Sequence, residues 1–91
     1  MNEITVTEVC EFLRGLAERL DLDLDGVEIT AASLLEEDLE MDSLNLMDFL
    51  VLLERRYQVK ITDENLREVE TVADVVALLN ELTRASTVAN W

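Results

Sequence analysis

Glu37-Asp38-Leu39-Glu40-Met41-Asp42-Ser43-Leu44, running on into Asn45-Leu46-Met47-Asp48-Phe49-Leu50, is the stretch that decides how this chain is read. Asp42 offers a side-chain oxygen to the unpaired N–H groups at the start of a helix, and Leu44, Met47, Leu50, Val51 and Tyr57 behind it can share one face. The spacing predicts a helix over 43–56. Leu46, Phe49, Leu52 and Leu53 make it apolar nearly all round, so it is either enclosed on most sides or presents an apolar surface to a partner. By spacing Met47 is expected in the core, whereas Met41, between acids, is expected to be exposed beside Ser43.

Working outward, Val6, Val9, Cys10, Leu13, Leu16, Ala17 and Leu20 form another helical stripe, with Thr5 and Glu8 as a capping box at its start. A first helix is expected over 7–20, with Cys10 as an inert small hydrophobe on its buried side. From 21 to 42 the helical period is lost while Leu22, Leu24, Val27, Ile29, Leu34, Leu35 and Leu39 keep supplying anchors, which describes a long loop packed down on the core. Ser33 with Glu36 could cap one short turn inside it. After a connection over 58–62, Asp63 is expected to cap a brief turn through Leu66. Thr71 is the expected N-cap of a last helix whose stripe, Val72, Val75, Val76, Leu79 and Leu82, runs to about Thr83. Residues 86–91 show no periodicity and read as a flexible tail, leaving Trp91 without a role. The expected fold is all-α, one domain over 1–85, a small three- to four-helix bundle with a long loop between its first two helices.

Composition narrows the function. The chain has 91 residues, of which 7 are basic and 21 acidic, for a formal charge of −14. That excess repels phosphate backbones and anionic headgroups, so neither nucleic acid nor membrane is an expected partner. Hydrophobic residues at 49% suffice for a core. With no His, the Ser-His-Asp and Cys-His relays are excluded, and so are His-containing zinc sites. One Cys forms no internal disulfide, and neither a leader peptide nor a membrane span is visible, so a cytoplasmic monomer is expected.

A competing reading comes from Asp21-Leu22-Asp23-Leu24-Asp25-Gly26, which matches the opening of a calcium-binding EF-hand loop. The match then fails, because the position of the bidentate Glu is Ala32 and that of the apolar pairing residue is Glu28. A calcium-binding regulator using Asp21, Asp23 and Asp25 stands as the alternative from a different class, and an acidic helical adaptor as a third. The binding set adopted here includes no metal ligand.

Read from Leu35 to Leu79, about half of the chain, the sequence resembles the acyl carrier proteins. Leu35 and Glu37-Asp38-Leu39 stand where that family has an anchor and Glu-Asp-Leu before its Asp-Ser-Leu motif, here Asp42-Ser43-Leu44. Leu53-Glu54 and Tyr57, then Ile61 and Asp63-Glu64, then Thr71-Val72 match further positions in register. The resemblance implies that Ser43 carries 4'-phosphopantetheine, with Asp42 in support, and that acyl groups ride on the arm as thioesters. It also implies that the chain is no enzyme but the substrate of a phosphopantetheinyl transferase and of acyltransferase, ketosynthase or acyl-activating enzymes. A grown chain would shelter between the second and last helices. Partners are expected on Glu40, Met41, Leu44, Met47 and Asp48, with Arg55 and Arg56 at the far end.

Some positions depart from the family. Glu40 replaces a Gly, Asn45 an acid, Thr62 a Pro, and Arg55-Arg56 an acidic pair. They point to a polyketide or other specialised acyl pathway, with fatty-acid synthesis and aminoacyl carriage as alternatives.

Overall fold

Thr5, Asp42, Thr62 and Thr71 each turn a side-chain oxygen onto the backbone N–H three residues on, at 3.1, 2.8, 3.2 and 3.2 Å, and a helix begins behind each of them. The computed structural model describes residues 3–20, 22–24 and 26–89, with the backbone alone at 85–89. Its helices are α1 (Val6–Leu16), α2 (Ser43–Tyr57), α3 (Asp63–Glu68) and α4 (Val72–Ala89). Among the described residues there is no strand, only an isolated antiparallel bridge between Leu34 and Thr71. The all-α bundle with a long loop after its first helix is therefore as expected.

Several boundaries differ, each for a local reason. The first helix ends at Leu16, not Leu20: Ala17 N–H turns back to Arg14, Leu20 N–H to Leu16 and Leu22 N–H to Ala17, so the stripe continues through turns and still buries Leu20. Glu8 spends its carboxylate on the Tyr57 hydroxyl. α2 gains one residue and stops where Gln58 enters the left-handed region and returns its N–H to Glu54. α3 is capped by Thr62 rather than Asp63, through a reciprocal box with Asn65, and runs past Leu66 to Glu68. α4 passes Thr83 and runs to Ala89, so 86–89 are helical rather than a tail. Nothing in Arg84-Ala85-Ser86-Thr87-Val88 breaks a helix. Asn90 and Trp91 lie outside the described residues.

The interior is built on Leu13 of α1, Phe49 and Leu53 of α2, and Val75 and Leu79 of α4, all fully buried. Asn80 ties the N-terminal segment to α4 by exchanging two hydrogen bonds with the Ile4 backbone, 2.8 and 2.9 Å. The long loop is held by its backbone as much as by its leucines. Arg14 donates to the carbonyls of Leu24 (3.2 Å) and Val27, across a turn that Gly26 makes at φ 78°. Further on, the first N–H groups of α4, Val72 and Ala73, donate to Ser33 and Ala31 carbonyls at 3.1 and 2.9 Å. Asp74 accepts from Thr71 and Glu70 N–H, which hold its carboxyl below the usual range. That stabilisation is present above the ordinary Asp value and is lost only as pH falls through the lowered one.

Ser33 does not cap Glu36. Its buried hydroxyl accepts from Thr30 N–H at 2.8 Å, and the short turn that follows is closed by the Asp38 carboxylate on Leu34 N–H. Cys10 is half-buried against Ile29, and burial pushes its thiol up, so it stays protonated near neutrality.

Glu40 and Gln58 both sit at φ 54°, a conformation in which a side chain costs about 1–2 kcal/mol and glycine nothing. This is the physical reason a glycine suits the position of Glu40. Allowing for glycine's extra freedom when unfolded, Glu40→Gly and Gln58→Gly should each stabilise by about 0.5–1 kcal/mol, read as a rise in Tm of a few degrees. An unchanged or lower Tm in both would contradict the left-handed backbone at these positions.

Candidate functional site

The site forms where the loop meets α2. Leu35, Leu39 and Met41 are buried and pin the acidic run to the core, so Glu36, Glu37, Asp38 and Glu40 stand in solvent. Met41 N–H donates to Leu35 carbonyl at 3.1 Å, which sets the approach to Asp42. Asp42 then caps α2 through Asn45 N–H at 2.8 Å while Asn45 Oδ1 accepts from Asp42 N–H at 3.3 Å. Asn45 also donates from Nδ2 to the Leu20 carbonyl at 2.7 Å, joining the end of the α1 segment to the first turn of α2. A carboxylate has no hydrogen to give Leu20, which accounts for an amide where the family has an acid.

Capping by Asp42 leaves Ser43 uncommitted. It is the first residue of α2 and exposed, and among the described residues no group hydrogen-bonds its hydroxyl. The N–H groups of Ser43 and Leu44 likewise have no acceptor among the described residues, unlike those of Val72 and Ala73, which the loop satisfies. The helix dipole adds a partial positive charge at the same place. Its surroundings suit an anion esterified to the serine, while Asp42 and Glu40 keep the rim acidic.

The apolar surface of α2 divides in two. Leu46, Phe49, Leu50 and Leu53 face the core, whereas Leu44, Met47 and Val51 are 73%, 51% and 44% exposed. The two methionine expectations are thus reversed. Met41 is buried at 3%, folded in with Leu35 and Leu39 ahead of the helix, and Met47 lies on the surface because the stripe of α2 that enters the bundle is the one carrying Phe49. Met41 therefore offers no exposed contact to a partner, and Val51, which the sequence reading grouped on one face with Leu44 and Met47 without naming it as a contact, does. Its signal was available: 44, 47 and 51 are themselves at helical spacing. Glu40, Leu44, Met47 and Asp48 do lie together on the surface around and below Ser43.

Arg55 and Arg56 part company. Arg56 lies over the Phe12 ring at 5.0 Å and near Tyr57 at 5.6 Å, bracing α1 against α2. Arg55 lines a surface cleft of about 300 Å³ with Arg19, a residue to which the sequence drew no attention. The space between α2 and α4 is filled by Phe49, Leu53, Val75 and Leu79. A cavity of about 260 Å³ lies between α2, the 34–37 turn and the link into α4, with Leu35, Leu46 and Val69 in its wall beside Glu36, Glu37 and Glu70. Of the EF-hand-like run, Asp21 and Asp25 lie outside the described residues, while Ala32 and Glu28 are exposed where ligation and pairing would be needed. Among the described residues no group of three or more acids or cysteines could hold a metal ion, and no helix is long and apolar enough to cross a membrane.

Known proteins share this arrangement. The family described as phosphopantetheine attachment site matches residues 7–79. A meromycolate extension acyl carrier protein of Mycolicibacterium aurum is 39% identical over 75 residues, covering 79% of this chain and 76% of that one. An acyl carrier protein of Thermobifida fusca is 36% identical over 69 residues, 72% of this chain and 86% of its own. The solved structure of an acyl carrier protein from Enterococcus faecalis superposes with a TM-score of 0.61 at 28% identity, over 87% of this chain and 99% of that one. With a family match over residues 7–79 and a relative 39% identical across 79% of its length, this chain belongs to the acyl carrier proteins, non-catalytic carriers that hold 4'-phosphopantetheine on a serine.

Proposed function

We propose that Ser43 is the serine that carries the arm, and that the chain ferries acyl groups between the enzymes of one dedicated chain-extension pathway. The observation that carries the assignment is a helix start whose cap is supplied by Asp42, leaving the Ser43 hydroxyl and two backbone N–H groups free at an exposed, positively polarised end. These residues fit the group. The arm, when bound, supplies a thiol that holds acyl groups as thioesters. Asp42 fixes the helix start, Ser43 would provide the ester oxygen, and the Ser43 and Leu44 N–H groups would be available to the phosphate. The chain supplies no base for the attachment, which falls to the transferase and its Mg²⁺.

On pathway, the relatives named for meromycolate extension favour fatty-type chain extension over the polyketide expectation. Arg55, which departs from the family pattern and is exposed, supports a dedicated partner set. We place the carrier in the cytoplasm as a monomer.

The transferase is proposed to meet Leu44 and Met47 as apolar contacts and Asp42 and Asp48 as charges. Asp48 lies four residues after Leu44 and is exposed, one turn below the arm. Interface charges act chiefly on association rate, so Asp48→Lys should raise the transferase KM several-fold and flatten its salt dependence, with circular dichroism unchanged. Modification as fast as wild type at low salt would remove Asp48 from the docking face.

A further inference from the structure

On a chain of charge −14, two guanidinium groups from different segments open into one cleft, and neither has a partner among the described residues. The cleft is lined by Arg19, Leu20, Asp48, Val51, Leu52 and Arg55. Three of the other five cations have internal work, and the remaining two, Lys60 and Arg67, are exposed and line no described cleft with a second arginine. Arg14 holds the loop carbonyls, Arg56 stacks on Phe12, and Arg84 pairs with Glu3 at 3.9 Å. Among the described residues, Arg19 and Arg55 form no ion pair and no hydrogen bond, and both are exposed. With Asp48 on the same wall, the cleft carries two positive charges against one negative, over a floor of Leu20, Val51 and Leu52. Val51 also continues the exposed Leu44 and Met47 stripe, so the cleft is the far end of the α2 surface that begins at Ser43.

We propose that this cleft seats an acidic, apolar-tipped segment of a partner enzyme: a carboxylate gripped by Arg19 and Arg55, with a neighbouring apolar side chain on Val51 and Leu52. Charge complementarity selects that occupant. A guanidinium pairs a carboxylate through two parallel N–H donors, and paired guanidiniums over an apolar floor repel a basic segment. The inference rests on α2 being the docking face and assigns its two ends opposite signs. The acidic end at Asp42 and the first turns draws basic surfaces, and the arginine end admits only partners with a matching acid. A generic transferase satisfies the first requirement, and a pathway enzyme satisfies both.

The test uses the unmodified full chain, labelled with ¹⁵N, and two helical peptides with the same leucine face, one flanked by Glu and the other by Lys, at ~0.15 M salt to screen the overall field. The Glu peptide should shift Arg19, Val51, Leu52 and Arg55 resonances, including the arginine side-chain N–H signals, and bind at least about tenfold more tightly at this cleft than the Lys peptide. Arg19→Glu/Arg55→Glu should reverse that preference while retaining the helical spectrum. Equal binding of both peptides, or Glu-peptide shifts centred on Lys60 or Arg67 instead, would overturn the proposal. Because the arm takes no part, failure here leaves the Ser43 assignment standing, and failure of that assignment leaves the titration readable.

Discussion

Incubated with coenzyme A and a promiscuous phosphopantetheinyl transferase, the wild-type chain should gain the mass of one phosphopantetheinyl group and Ser43→Ala none. The effect is all or nothing because the ester needs an oxygen at that position, and the other serines offer no equivalent. Ser33 is buried at 6% exposure with its hydroxyl bonded to Thr30, and Ser86 lies within α4, away from any helix start. The same substitution should barely touch the fold, since no described group bonds the Ser43 hydroxyl, and a change within about 0.5 kcal/mol is expected. Loss of modification with Tm retained therefore reports chemistry alone. A modified Ser43→Ala protein would place the arm elsewhere.

The largest stability loss is expected from Phe49→Ala. Phe49 is fully buried at the middle of α2, and truncating such a ring removes its transfer energy and leaves a cavity, about 3–5 kcal/mol together. Domains of this size hold roughly 5–15 kcal/mol in all, so the variant should melt at least about 12 °C lower. The self-repulsion of fourteen net negative charges adds to its fragility, so Ca²⁺ and Mg²⁺ should raise Tm alike in both proteins by screening. Thermal melts followed by circular dichroism decide both points. A loss below about 1 kcal/mol would mean that Phe49 is not at the centre of the core.

Helix starts were the most legible part of the fold, because capping is written in adjacent residues: Thr5, Asp42 and Thr71 all cap where their spacing said they would. Helix ends were less so. The end of α1 depends on where Arg14 and Asn45 hold the following loop, which are contacts across ten and twenty-five residues that periodicity does not record. The face of α2 was ambiguous for a related reason. Two apolar stripes run along it, one through Phe49 and one through Leu44, Met47 and Val51, and a helical repeat alone does not say which enters the bundle. Misassigning them put Met47 in the core, while Met41, ahead of the helix, was misread from its acidic neighbours although its backbone folds onto Leu35. The serine itself could be read because its neighbours form an ordered series, whereas the Arg19 and Arg55 cleft joins residues far apart in the chain and had no local signature.

The bonds among Asp42, Asn45 and Leu20 bear on the carrier's itinerary. A shuttle must present the same outline to each enzyme it visits, bare or loaded, and whatever the cargo. If the serine hydroxyl were itself the bracket of the helix, every loading event would loosen the first turn. With the bracket one residue upstream and its tie reaching over to Leu20, the first turn does not lean on the Ser43 hydroxyl. An arm attached to that hydroxyl would leave the bracket in place, so partners would meet the same helix start before and after loading.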